Sequence, residues 1–105
     1  MDHVDITWRG MPHDQRLVEL VYGEVDKLED GTIVSCRVLI EGPEVTRDGV
    51  LVKVDLNVPN HEVHANSGDH IDVDNAEVAV RTAFNTARQR LHRYHDKRRT
   101  LARRG

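Results

Sequence analysis

Only one cysteine, Cys36, occurs in the 105 residues, so no internal disulfide can brace the fold. Aromatic side chains are nearly as scarce, with Trp8, Tyr22, Phe84 and Tyr94 the whole set. The core must then come from Val, Leu, Ile and Ala, and an aromatic platform for base stacking is not expected. No apolar stretch approaches the roughly 20 residues of a membrane span, and the polar N-terminus lacks a signal-peptide core. A cytoplasmic protein is the expectation. At this length the chain fits one domain, residues 1–105, which buries somewhat over roughly 60% of its unfolded surface.

Acidic residues are nearly missing from the last quarter. From Ala79 to Gly105 there are nine Lys or Arg against one acid, Asp96, a formal +8, whereas Met1 to Val78 holds six cations against seventeen acids, a formal −11. The whole-chain pI near 6.1 hides both. Clustered cations gain affinity for a polyanion by releasing its condensed counterions, so RNA is a partner for one end only.

Catalytic signatures are absent too. There is no G-x-S-x-G, P-loop, H-E-x-x-H or glycine-rich dinucleotide fingerprint. The Asp69, Asp72 and Asp74 cluster reads as loop solvation and helix capping, so no catalytic residue and no small-molecule substrate are expected. Seven histidines invite a metal, but His61 and His64 point to opposite faces of a strand, and His92 and His95 share a helix face with no acid or cysteine in register to complete a set. Neither a metal nor any other cofactor is expected.

What is present is alternation. His3 to Arg9 alternates polar and apolar, with Val4, Ile6 and Trp8 on one side, and Gly10 and Pro12 stop that strand. From about His13 to Glu29, Leu17, Val21, Val25 and Leu28 recur at helical spacing. Asp30-Gly31 ends the helix and opens a second strand, Thr32 to Glu41, whose period aims Cys36 inward with Val34 and Val38 and which turns at Gly42-Pro43. A third strand carries Val50, Val52, Val54, Leu56 and Val58. Pro59-Asn60 turns it into a short fourth strand, Glu62 to Ala65, and Asn66 to Asp72 reads as a polar loop. The final helix starts near Asp72 or Asp74 and buries Ala76, Val80, Ala83, Phe84, Ala87, Leu91 and Tyr94. The fold class is α+β in the order β-α-β-β-β-α, a four-stranded mixed sheet with both helices on one face. Leu39 and Leu51 are exceptions on the otherwise polar outer face, read as a small cross-strand pair. A basic tail, 98–105, is expected to fray.

On the final helix, Arg81, Asn85, Arg88, His92, His95 and Arg99 form one polar stripe, which Arg90, Arg93, Lys97 and Arg98 widen. Long cations on a rigid helix suit phosphate contacts that position a protein on RNA without reading sequence. An ordinary solvated face would interleave acids.

Three segments add specificity: Val4-Asp5-Ile6-Thr7-Trp8-Arg9-Gly10-Met11-Pro12; Val52 to Pro59 followed by Glu62-Val63-His64-Ala65; and Val78 to Phe84 continuing through Arg88-Gln89-Arg90-Leu91. Together they resemble the ribosome hibernation-promoting factor and sigma-54 modulation protein family over nearly the whole chain. The resemblance implies a bacterial, non-enzymatic protein, related in architecture to double-stranded RNA-binding domains, that binds the small ribosomal subunit near its decoding centre. There it would block messenger and transfer RNA and silence ribosomes under stress. It also implies the short form, without a C-terminal domain that dimerises ribosomes. Carried onto the basic helix, it puts Arg81, Arg88, Arg90, Arg93, Lys97 and Arg98 forward as ribosomal RNA contacts, with Lys53 a weaker one. The first helix departs from the pattern, since Asp14, Glu19, Glu24, Asp26, Glu29 and Asp30 outnumber Arg16 and Lys27 there and repel phosphate. The competing reading is a diverged protein-interaction module or a homo-oligomer, such as a homodimer, in which the acidic body meets a basic partner or another copy's basic helix.

Overall fold

The computed structural model describes residues 3–28, 31–68 and 71–103, with side chains up to residue 99. Strand β1, Val4–Arg9, alternates half-buried Val4, Ile6 and Trp8 with exposed Asp5, Thr7 and Arg9. Helix α1, Gln15–Leu28, begins two residues later than expected because Asp14 caps it. The Asp14 carboxylate accepts from the Arg16 amide at 2.9 Å, and its carbonyl accepts from the Leu17 and Val18 amides. Glu29 and Asp30, where the helix was expected to end, lie outside the described residues.

Strands β2, Ser35–Glu41, β3, Leu51–Val58, and β4, His61–Asn66, complete a four-stranded sheet in the order β1-β2-β3-β4. β1 and β2 run parallel, with α1 as their crossover, and the other pairs are antiparallel. Helix α3, Ala76–Arg103, closes the chain, so the β-α-β-β-β-α order holds. The inward residues of the sheet join Leu17, Val21, Val25 and Leu28 of α1 and Ala79, Val80, Ala83, Phe84, Ala87 and Leu91 of α3 in one core. Phe84, fully enclosed, is its largest member, and burying it stabilises the fold by roughly 1.5–3 kcal/mol.

Several local expectations change. Cys36 is buried as its period required, but Val34 is half exposed and β2 starts only at Ser35. The Val34 amide donates to Asn57, the residue that also pairs with Ser35, so two residues oppose one and the alternation slips there. At Gly42-Pro43 the chain enters a one-turn helix, α2, Pro43–Thr46, with the proline at its first turn and Arg47 left-handed at its end. Val50 does not extend β3. It exchanges hydrogen bonds with Ile71, and the Ser67 hydroxyl accepts from the Val52 amide at 3.0 Å, so much of the expected loop is pinned to the sheet. Leu39 and Leu51 are diagonal rather than opposed, since their partners are Lys53 and Glu41.

Before α3, Asp72 accepts from the Asp74 amide at 2.9 Å and caps a 3-10 turn, Val73–Asn75, that leads into the helix. At 28 residues and 1.5 Å per residue α3 is about 42 Å long, longer than the strands beneath it. Among the described side chains Leu91 is its last buried residue and Tyr94 packs partly, while Asp96 to Arg99 are all exposed. Arg104 and Gly105, the end of the tail expected to fray, lie outside the described residues.

Candidate nucleic-acid interface

Helical geometry sorts the cations of α3 around its buried stripe. At 100° per residue, Arg81, Arg88, His92 and Arg99 fall on one flank and Arg90, Arg93 and Lys97 on the other, with Asn85, Gln89 and Asp96 along the crest between them. The stripe expected from spacing is therefore two basic flanks.

These cations are not equally available. Arg93 and Lys97 are exposed and, among the described residues, make no ion pair or hydrogen bond, so they are the most open to phosphate. Arg81 is exposed and lies 4.0 Å from Glu77 one turn back, a contact that solvent screens to under about 1 kcal/mol. Arg88 is half-buried, and its Nε is enclosed with no hydrogen-bond partner. Arg90 donates to the backbone carbonyl of His64 on β4. Arg98 lies beyond the sheet in line with the buried stripe, its guanidinium carbon 5.8 Å from the Tyr94 ring centroid. The acid on the crest is itself engaged, since Asp96 pairs with Arg99 and, at 3.3 Å, with His92.

Lys53 is not brought to this surface. Alternation along β3 places it on the outer sheet face, opposite the helices, where it pairs with the nearly buried Glu41 at 3.3 Å. That face is a mosaic of paired charges. Arg37, Asp55 and His64 sit in one row across three strands, His64 Nδ1 lies 2.6 Å from Asp55, and Arg37 lies 3.4 Å from Glu62. Among the described residues no group of three or more His, Cys, Asp or Glu is arranged to hold a metal ion.

The first helix repels phosphate less than its composition implied. Glu24 is buried and paired with Lys27 at 3.1 Å, and Asp14 is the helix cap beside Arg16. Glu19 and Asp26 remain as its exposed acids among the described residues.

One feature escaped the residue count. The His61 ring stacks on Tyr94, with centroids 4.4 Å apart and planes 13° from parallel, so a histidine supplies the ring that the scarce aromatics did not. Its inward register opposite Val58 was the available signal, as strand alternation puts His61 on the helix side of the sheet.

Residues 4–99 match the family described as sigma 54 modulation protein / S30EA ribosomal protein. No curated protein matches the sequence. Among solved structures, a ribosomal subunit interface protein from Coxiella burnetii superposes with a TM-score of 0.74 at 14% identity, covering 90% of this chain and 98% of that one. The N-terminal domain of Thermus thermophilus Protein Y gives 0.60 at 11% identity, covering 85% and 98%. At such identities the two establish a shared fold. Sheet, helix layer and family match together define a ribosome-associated α+β protein. The chain belongs to the sigma 54 modulation protein / S30EA ribosomal protein family. No helix among its described residues is long and apolar enough to cross a membrane.

Proposed function

We propose that the protein is a non-enzymatic, cytoplasmic translation inhibitor of the hibernation type that binds RNA of the small ribosomal subunit through α3. The observation that carries this reading is the pair of basic flanks on one rigid helix, with a single acid on its C-terminal half and that acid already paired. Such a surface attracts a phosphate backbone by charge and shape, without base readout. A ribosomal subunit interface protein and a Protein Y domain share this fold, which supports the same partner.

Arg93, Lys97 and Arg81 make the primary phosphate contacts in this reading, with Arg88 and Arg90 held in place beside them and the exposed Arg98 farther along at Tyr94. Lys53, on the far face, contributes only if RNA also reaches the outer sheet. The test is co-sedimentation of the full chain with purified small subunits across a salt series. Stoichiometric binding that weakens steeply with salt supports the proposal, and no binding at low salt overturns it. The second reading, self-association of the acidic body with another copy's basic helix, predicts a larger species at low salt without RNA. A monomer there removes it.

A further inference from the structure

Three side chains lie against the Tyr94 ring: His61, Arg98 and His95, the last tilted at 5.5 Å. The His61 imidazole lies nearly parallel behind it, stacked at 4.4 Å. Over the ring stands Arg98, which also donates toward the Tyr94 hydroxyl at 3.4 Å. The hydroxyl in turn donates to the Pro59 carbonyl at 3.3 Å, tying the ring to the β3–β4 turn. Tyr94 is thus held from behind and at its tip, and its plane is fixed relative to the sheet.

The ring also forms one wall of a groove of about 490 Å³ beyond the end of the sheet, within the roughly 300–1,000 Å³ of small-ligand sites. Val58 and Pro59 make its floor, and His95, Arg98 and Arg99 line it with Tyr94. Arg98 lines this space and His61 does not. A fixed ring face, an apolar floor and two guanidinium groups are the parts of a nucleotide site. The base stacks on the ring, since every base has a π-face, and an arginine plane covers it from above. Arg98 is exposed and can swing to admit the base. Arg99 reaches the adjoining phosphate with donors beyond the one it gives to Asp96, because a guanidinium carries five.

We propose that this groove holds one unpaired nucleobase of RNA, stacked on Tyr94 beneath Arg98, with its phosphate on Arg99. The inference rests on the reading of α3 as the RNA-binding helix and adds what phosphate contacts cannot supply, a preference for single-stranded nucleotides over duplex. It also reverses the expectation, drawn from four aromatic residues, that base stacking plays no part.

The test measures binding of the full chain, at fixed salt, to a short oligouridylate and to the same oligomer with an abasic ribose at its centre. The intact oligomer should bind about tenfold more tightly. Tyr94→Leu should lose that preference while keeping the salt slope, and Tyr94→Phe should retain it. Equal affinity of the wild-type chain for both oligomers overturns the proposal, whatever the variants do to folding. Binding of AMP without binding of the oligouridylate also overturns it, by making the groove a free-nucleotide site. Small-subunit co-sedimentation tests the parent reading separately. Its loss with base preference intact would strike that reading alone.

Discussion

Arg90 of α3 donates to the backbone carbonyl of His64 on β4, while the His64 ring, on the other side of the same strand, meets Asp55 at 2.6 Å. β4 is an edge strand, and an edge presents unpaired carbonyls to solvent. Arg90 satisfies one of them, so a residue that the family resemblance puts forward as an RNA contact also fastens the helix to the sheet.

Arg90→Ala should therefore lower stability by about 1 kcal/mol, read as a shifted urea midpoint, because it removes a charge-assisted hydrogen bond at a partly wet edge. Arg93→Ala, with no intramolecular partner to lose, should leave the midpoint unchanged and weaken small-subunit binding. Equal destabilisation by both would show that Arg90 is not a structural tie.

Arg93→Glu combined with Lys97→Glu reverses two open cations without touching a packing contact. If both neutralise phosphates, the log–log salt slope of subunit binding should fall by about two, with far-UV circular dichroism unchanged. An unaltered slope would move the interface off that flank of α3.

Burial, with Asp55 adding like-charge repulsion, pushes the Cys36 thiol up to about 12 from its ordinary 9.0. The folded state therefore holds this proton more tightly than the unfolded chain does. Its stability contribution is complete below pH 9 and declines as pH rises from 9 towards 12. At pH 8, iodoacetamide should modify the folded protein at least ~100-fold more slowly than the chain in urea. Comparable rates would mean that the core opens readily around β2.

Two glycines should respond with opposite signs. Gly49 has a φ of +74°, and a Cβ there would press into the Ile71 carbonyl, so Gly49→Ala should cost at least about 2 kcal/mol and disturb the Val50–Ile71 pair. Gly23 lies mid-helix in α1 with open space where a Cβ would go, and Gly23→Ala should add about 0.5–1 kcal/mol. Thermal melts of the two variants check both.

Glu24 is enclosed in the α1 layer, and its partner Lys27 is largely exposed. Replacing the buried member leaves no charge stranded, so Glu24→Leu should be neutral or stabilising by up to about 2 kcal/mol in urea unfolding. A clear loss would point to an unrecognised role for its carboxylate.

Much of this molecule was readable from spacing. Period-2 runs in β1, β3 and β4 and period-3.6 runs in α1 and α3 fixed which face of each element is apolar, because burial acts on every second or every third and fourth residue whatever the partner. Readings failed where a neighbour decided the outcome. Val34 belongs by pattern to the inner face, yet Asn57 is shared between it and Ser35. Asn66 to Asp72 is polar enough for a loop, yet Ser67 and Ile71 find partners in Val52 and Val50 across the sheet.

The sequence by itself determined the element order, the identity of the core and the placement of nearly all surplus positive charge on one helix, since these depend on residue type and local period. Only the tertiary structure decided which cations are open. Alternation already set Lys53 on the outer face, but the fold paired it with Glu41 and sent Arg90 to an edge carbonyl and Arg98 to Tyr94, while Arg93 and Lys97 were left exposed. It also brought His61 against Tyr94, across 33 positions of sequence, because the β3–β4 turn folds under the overhanging end of α3. Charge is a property of the residue, but its availability depends on what the folded chain sets beside it.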